Sequence, residues 1–278
     1  MGNDKIKYKG QEILQNLDSI LQKNSFHFEL KGLTKSTRDI INETVQGILD
    51  KVGANPLTSF HLFSGLMEAL LNAVKANARF VIFKDELLSK LKTAGTKVES
   101  EAEDLLDVIL ETEPLRDAMQ RYIVPEKIKK TVQKILTLSN KNRSKKESLT
   151  QEELDFLDAV RQKTKASNLK ISLKIEIRDK ELYIRLRNDS PIMGMDLTRI
   201  RKSRERHAEL AREGKSGEFF RPDFLDEKES AGFGIAMIDE GYYNLGLDPL
   251  ECFDIQTSKH ATSVYLSYPL DALRKMDY

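Results

Sequence analysis

The run ISLKIEIRDKELYIRLRNDSP, residues 171–191, decides the fold class. Ile171, Leu173, Ile175 and Ile177 alternate with polar residues, and Leu182, Ile184 and Leu186 do the same beyond Asp179–Lys180. Alternation with period two sends successive side chains to opposite faces, so the run predicts a hairpin with one buried face. That face needs an apolar cover. Outward from it, Phe26 to Leu30 reads as a short strand, and Cys252 to Thr257 with Thr262 to Tyr268 reads as a second hairpin. Thr34 to Lys51 carries Ile40, Ile41, Val45, Ile48 and Leu49 at helical spacing, with Gly53 and Pro56 to stop it. A second, more apolar helix is expected from about Thr58 to about Asn77. The fold class read from this order is α+β: a two-layer α/β sandwich in which helices cover one face of a mixed sheet.

The rest of the chain divides around this frame. Residues 1–25 hold a helical stripe of Ile13, Leu14, Leu17, Ile20 and Leu21, which either pairs two subunits into a homodimer or covers a sheet edge. Residues 26–80 and 168–278 form the two parts of the sheet domain, and 81–167 is read as a helical insertion. Pro114 and Pro125 divide the insertion, the polar, basic stretch 139–148 is a loop, and Thr150 with Glu153 forms a capping box. Its charges are acidic at Glu99–Asp107 and basic at Lys127–Lys146, read as a solvated bundle or, for the basic half, as a surface for an acidic partner. Residues 193–230 are charged and read as irregular, before a glycine-containing helix start at 232–234.

Composition narrows the function classes. Lys plus Arg number 45 against 44 for Asp plus Glu, so no net field draws the chain to nucleic acid or to an anionic membrane. No apolar run approaches the roughly 20 residues that span a bilayer, and Met1 to Lys9 is too polar for a secretory signal. The single cysteine, Cys252, cannot build a disulfide framework, and four scattered histidines make a poor zinc site. The expectation is a cytoplasmic protein.

Three segments carry chemistry. Glu68-Ala-Leu-Leu-Asn72-Ala-Val-Lys75 sets a carboxylate, an amide and an ammonium at i, i+4 and i+7, on one face of a helix that otherwise reads as core. Polar groups there are costly unless something satisfies them, and an Mg-nucleotide would; the bland reading is a solvated stripe. Arg187-Asn188-Asp189-Ser190-Pro191 follows a strand, where polar groups can read a ligand edge or simply make a turn. Ser230-Ala-Gly232-Phe-Gly234 opens an apolar helix with free backbone N–H groups that suit phosphate, or with glycines that allow close packing.

In this order the three segments resemble the N-box and the two glycine boxes of the gyrase, heat-shock-chaperone, histidine-kinase and MutL (GHKL) ATPase superfamily. Thr262 to Pro269 resembles its final strand. The resemblance covers residues 26–80 and 168–270 and implies the Bergerat-type sandwich, with ATP and Mg²⁺ as cofactors. It implies that Asn72 ligates the metal and that Glu68 activates the attacking water or hydroxyl. It also places Lys75 and Asn77 near the phosphates, Gly232 and Gly234 along the phosphate pocket, and Asn188, Asp189, Ser190 and Thr262 around the base. Residues 193–231 would be the ATP lid, with Arg199, Arg201, Lys202 or Lys215 as a phosphate contact. The usual Asp-x-Gly-x-Gly is replaced by Asn188-Asp189-Ser190-Pro191, trading a charge-assisted hydrogen bond for a neutral one.

Glu68 is similar to the carboxylate of anti-sigma-factor serine kinases, which implies phosphorylation of a partner protein: an antagonist, a sigma-factor system or a response-regulator-like protein. No His lies in the 25 residues ahead of the first strand, and His27 and His61 read as core or capping residues, so His autophosphorylation is not expected. A DNA-linked member lacks support for want of a basic surplus and of a transducer after residue 270. The alternative is a non-catalytic nucleotide-binding or protein-docking module that uses its insertion as the docking surface.

Overall fold

The computed structural model describes residues 25–30, 32–93, 99–122, 130, 131, 134, 135, 137, 138, 149–192, 194–221 and 231–274. The expected N-terminal helix, the 139–148 loop and residues 222–230 of the expected lid lie outside the described residues. Five strands form one open sheet: β1 Ser25–Leu30, β2 Ile171–Arg178, β3 Glu181–Asn188, β4 Phe253–Thr257 and β5 Thr262–Pro269, in the order β1-β2-β3-β5-β4. Every pairing among them is antiparallel, so the sheet is not the mixed one expected. Alternation reports which face is buried and is blind to strand direction.

The 171–186 alternation folds as read. Ile171, Leu173 and Ile175 pair across Asn188, Leu186 and Ile184, and the turn residues Asp179 and Lys180 both take positive φ, 50° and 65°. That is the twist a two-residue hairpin turn needs. The buried row continues onto β5 as Val264, Leu266 and Tyr268, opposite Leu186, Ile184 and Leu182. At one end of this face the row turns polar, at Asn188 and Thr262, which are paired with each other and buried.

Helices cover that face. They are α1 Lys35–Val52, α2 Pro56–Thr93, α7 Ala231–Asn244 and the short α8 Leu270–Arg274; Ile41, Val45, Leu49, Leu62, Leu66, Leu70, Ile238, Tyr242 and Leu273 join the strand residues in one core. Thr34 caps α1 by accepting from the Thr37 N–H, and Gly53 ends it at φ 71°. Helix α2 does not end near Asn77. It runs 38 residues without a break, so its second half leaves the sheet and forms the first limb of the insertion. A second stripe, Phe83 and Leu87, keeps it helical by packing against Leu106 and Ile109 of α3 Glu99–Glu111 and Met119 of α4 Glu113–Tyr122.

The capping box forms at the start of α5 Gln151–Ala166: the Glu153 N–H donates to Thr150 Oγ1, and the Thr150 N–H to Glu153 Oε2. Residues 194–212, expected to be irregular, form the 19-residue helix α6 Gly194–Arg212. Its mean hydropathy gives little sign of a helix, because polar bonds anchor it: Arg204 Nε donates to Asp239 of α7, and His207 Nε2 meets Glu240 Oε2 at 3.2 Å. His207 is fully buried among Phe219, Phe220 and Tyr243. Among the described residues no helix is long and apolar enough to cross a membrane.

Candidate functional site

Helices α2 and α7 run antiparallel along a seam of glycines. A Cβ on Gly65 would meet Tyr268 Oη at 3.5 Å and Ile238 at 3.8 Å, and one on Gly241 would meet the His61 carbonyl at 3.5 Å. At the N-terminal end of α7 the seam is tighter. A Cβ on Gly234 would lie 2.7 Å from Glu68 Oε2, 3.1 Å from Asn72 Nδ2 and 3.4 Å from Asn72 Oδ1. Real Cβ atoms avoid a 2.7 Å approach, so glycine is what lets α7 sit against these two side chains. Gly232 stands in the first turn of α7, where backbone N–H groups lack helical acceptors.

The polar groups at this seam are unspent. Asn72 Nδ2 is buried and has no hydrogen-bond partner. Glu68 and Lys75 make no ion pair or hydrogen bond with any described residue. A carboxylate, an amide and an ammonium thus share one face of α2, beside a helix N-terminus, without neutralising one another. The same face continues one turn on to Arg79, whose guanidinium lies 3.7 Å from Asp196 in the first turn of α6. Sequence reading overlooked Arg79, although its i+7 spacing from Asn72 marks it.

The sheet end is a second polar cluster, and here the groups bond to one another, with Asn188 Oδ1 alone among the amide and hydroxyl groups making no hydrogen bond to a described residue. Asn77, Asn188, Ser190 and Thr262 are all buried, Ser190 completely. Ser190 Oγ donates to Asn77 Oδ1 at 2.9 Å, and Asn188 Nδ2 donates to Ser190 Oγ at 2.6 Å and to the Ser190 carbonyl at 3.1 Å. Thr262 Oγ1 donates to the same carbonyl at 2.7 Å, and Asn77 Nδ2 reaches the Lys170 carbonyl at 3.3 Å. Asn77 is brought here by α2, where the stripe Leu66, Leu70 and Ala73 ends in an amide.

Asp189 does not join the cluster. Its Oδ2 accepts from the Lys170 N–H and its Oδ1 from Arg187 Nη1 at 2.5 Å, because neighbouring residues at a strand end face opposite ways. Nor do the lid cations converge. Arg199 pairs with Asp196 near α2, Arg201 and Lys202 are exposed, and Lys215 pairs with Glu213 past the far end of α6. The hydrogen bond from Lys215 to Glu213 holds its pKa above the usual value for lysine.

Two other features lie apart from the seam. A cavity of about 260 Å³ between the C-terminal ends of α6 and α7 is lined by Ala208, Ala211, Arg212, Tyr243, Leu247 and Asp248. None of the residues expected to bind a nucleotide lines it. Asp239, buried under Arg204, has its carboxyl pushed up to about 6, since desolvation outweighs the guanidinium. Among the described residues no group of three or more His, Cys, Asp or Glu gathers as a metal site. No family model, curated protein or solved structure matches this chain.

Proposed function

We propose that this chain binds Mg-ATP between α2 and α7 in a Bergerat-type site and uses it to regulate, by phosphorylation, a partner protein in a cytoplasmic signalling system. The observation that carries the reading is Asn72 Nδ2, a buried donor without a partner beside the Gly234 cradle, which a phosphate oxygen would satisfy while the amide oxygen stays available to a cation. A native structure leaves few such groups, and an orphan beside unpaired Glu68 and Lys75 points to a ligand that completes the set.

The residues fit that ligand. Asn72 would offer a neutral oxygen to Mg²⁺, Lys75 an ammonium to the phosphates, and the first turn of α7 its N–H groups. Gly232 and Gly234 keep side chains out of the phosphate path. The nucleotide supplies the transferable phosphoryl group. Glu68 Oε2, beside the Gly234 backbone, would hold the proton of an acceptor hydroxyl or water. Asn188 and Thr262, paired across β3 and β5, would face the base with Ser190 and Asn77 behind them.

One observation favours the second reading, a nucleotide-binding or docking module without turnover. The Asn188 Nδ2 is committed to Ser190, so the side chain standing where the family has an aspartate offers a base only a neutral amide oxygen and no charge-assisted bond. Titration of the full chain with a fluorescent ATP analogue and Mg²⁺, on wild type and Asn72→Ala, tests binding. Micromolar affinity weakened by the substitution supports the nucleotide site, and no binding to wild type overturns it. Phosphate release or transfer lost in Glu68→Gln then separates the kinase reading from binding alone.

A further inference from the structure

The insertion touches the sheet domain at one point that ordinary packing does not explain. Arg116 of α4 is only 3% exposed, yet no carboxylate among the described residues answers its charge. Its Nη1 donates to the Lys259 carbonyl at 2.8 Å and, more weakly, to the Leu110 carbonyl at 3.4 Å, and its Nε is buried with no partner. A buried guanidinium held by carbonyls alone is costly, and an apolar side chain would fill the same boundary at less cost. Such a group fixes geometry. It pins α4 to the turn joining β4 and β5.

That turn is wired to the sheet-end cluster. Glu111, at the end of α3, pairs with Lys259 and stands 3.8 Å from His260 Nε2. The Ser258 N–H closes the turn on the Ala261 carbonyl at 2.7 Å. On either side stand Thr257 and Thr262, and both hold the segment after β3: the Ile192 N–H donates to Thr257 Oγ1 at 2.9 Å, and Thr262 Oγ1 donates to the Ser190 carbonyl. Ser190 in turn holds Asn77 and Asn188. An unbroken path of hydrogen bonds and one tight turn thus runs from the insertion to the cluster.

We infer that Arg116 is a positioning residue for the Asn188–Ser190–Thr262 cluster, and that the insertion is an arm whose seating on the β4–β5 turn sets how well that cluster reads a nucleotide base. The consequence for regulation is direct. A partner that tilts the arm would change base recognition without touching Glu68, Asn72 or Gly234, which sit on the α2–α7 seam. The base-reading role rests on the proposed nucleotide site; the mechanical link does not.

The test uses the full chain with Arg116→Met and Arg116→Lys, read by amide hydrogen exchange and by titration with ATP and GTP analogues in Mg²⁺. In Arg116→Met the amides of Ile192 and Thr262 to Val264 are expected to exchange about tenfold faster, through easier local opening. The preference for ATP over GTP is expected to narrow about tenfold, roughly 1.4 kcal/mol, with Mg²⁺ dependence unchanged. Faster exchange confined to 113–122 and 258–261 overturns the link. If the Met variant does not fold, Arg116→Lys decides on the same amides: about threefold faster exchange supports the link and none overturns it. Should wild type bind neither nucleotide, the nucleotide reading fails while hydrogen exchange still decides the link. Binding in which Arg116→Met shifts exchange yet leaves ATP and GTP affinities in their wild-type ratio overturns the base-reading half.

Discussion

The two polar regions of this protein solve the same problem in opposite ways. At the sheet end, Asn77, Asn188, Ser190 and Thr262 are as buried as the leucines beside them and bond to one another. At the α2–α7 seam, Glu68 and Lys75 have no partner among the described residues and Asn72 holds a buried orphan donor. A closed network stabilises the fold, whereas an open one costs stability and is kept where something else completes it. Substitutions of the groups locked inside the first region, Asn77 above all, should therefore move stability first, and those in the second should move binding.

The largest expected break is Asn77→Ala. It strips Ser190 Oγ of its acceptor and the Lys170 carbonyl of its donor within a buried network, which should cost about 3 kcal/mol. For a chain of this size, scanning calorimetry should then show Tm lowered by roughly 6–10 °C. A loss under about 2 °C would mean that water or repacking satisfies the cluster and that it is less closed than its distances imply.

Gly234→Ala sharpens the opposite side. The atoms a new Cβ would strike are the ends of the Glu68 and Asn72 side chains, which can rotate away, and alanine is the better helix former by about 1 kcal/mol. Tm should stay close to wild type. Affinity for the ATP analogue should fall about a hundredfold, near 2.7 kcal/mol, because both side chains leave their places. Equal affinity in a folded variant would separate the seam from nucleotide binding.

The carboxyl of Asp239, on the outer side of α7, tests whether that helix is held by charge. Its pKa in the folded protein is about 6, above the ordinary 3.8, so the folded state keeps an extra proton between those values. Stability should fall as pH rises from about 4 to about 6, on the order of 2 kcal/mol, and level off above that. Asp239→Asn should remove this slope in denaturant titrations at pH 4, 5, 6 and 7. The buried His207, whose pKa is lowered mainly by desolvation, acts with the opposite sign, losing stability as pH drops below about 6.5, and it remains in both proteins. The difference between them isolates Asp239.

Asn72→Ala should have the smallest effect and the clearest signature. Removing a buried unsatisfied donor should leave Tm unchanged or raise it slightly. Affinity in Mg²⁺ should drop about tenfold, or 1.4 kcal/mol, while affinity in EDTA should hardly change. A destabilised Asn72→Ala would show that the amide supports the fold, and the contrast between the two regions would collapse.

Much was legible in the chain itself. The alternation across Asp179–Lys180, the Thr150–Glu153 box and the glycines opening α7 are local signals, each set by backbone conformation within a few residues. So is the shared face of Glu68, Asn72 and Lys75, which helical spacing alone dictates. Tertiary structure decided the rest. Helix α2 continues past Asn77 because Phe83 and Leu87 find α3, and α6 is a helix because Arg204 and His207 find α7. The antiparallel sense of the sheet, the turning away of Asp189 and the closure of Ser190 onto Asn77 all depend on pairing between distant segments. Spacing tells which groups share a face. Whether a buried polar group there is satisfied or left open depends on what the rest of the chain brings against it, and that difference separates the sheet-end clamp from the candidate site.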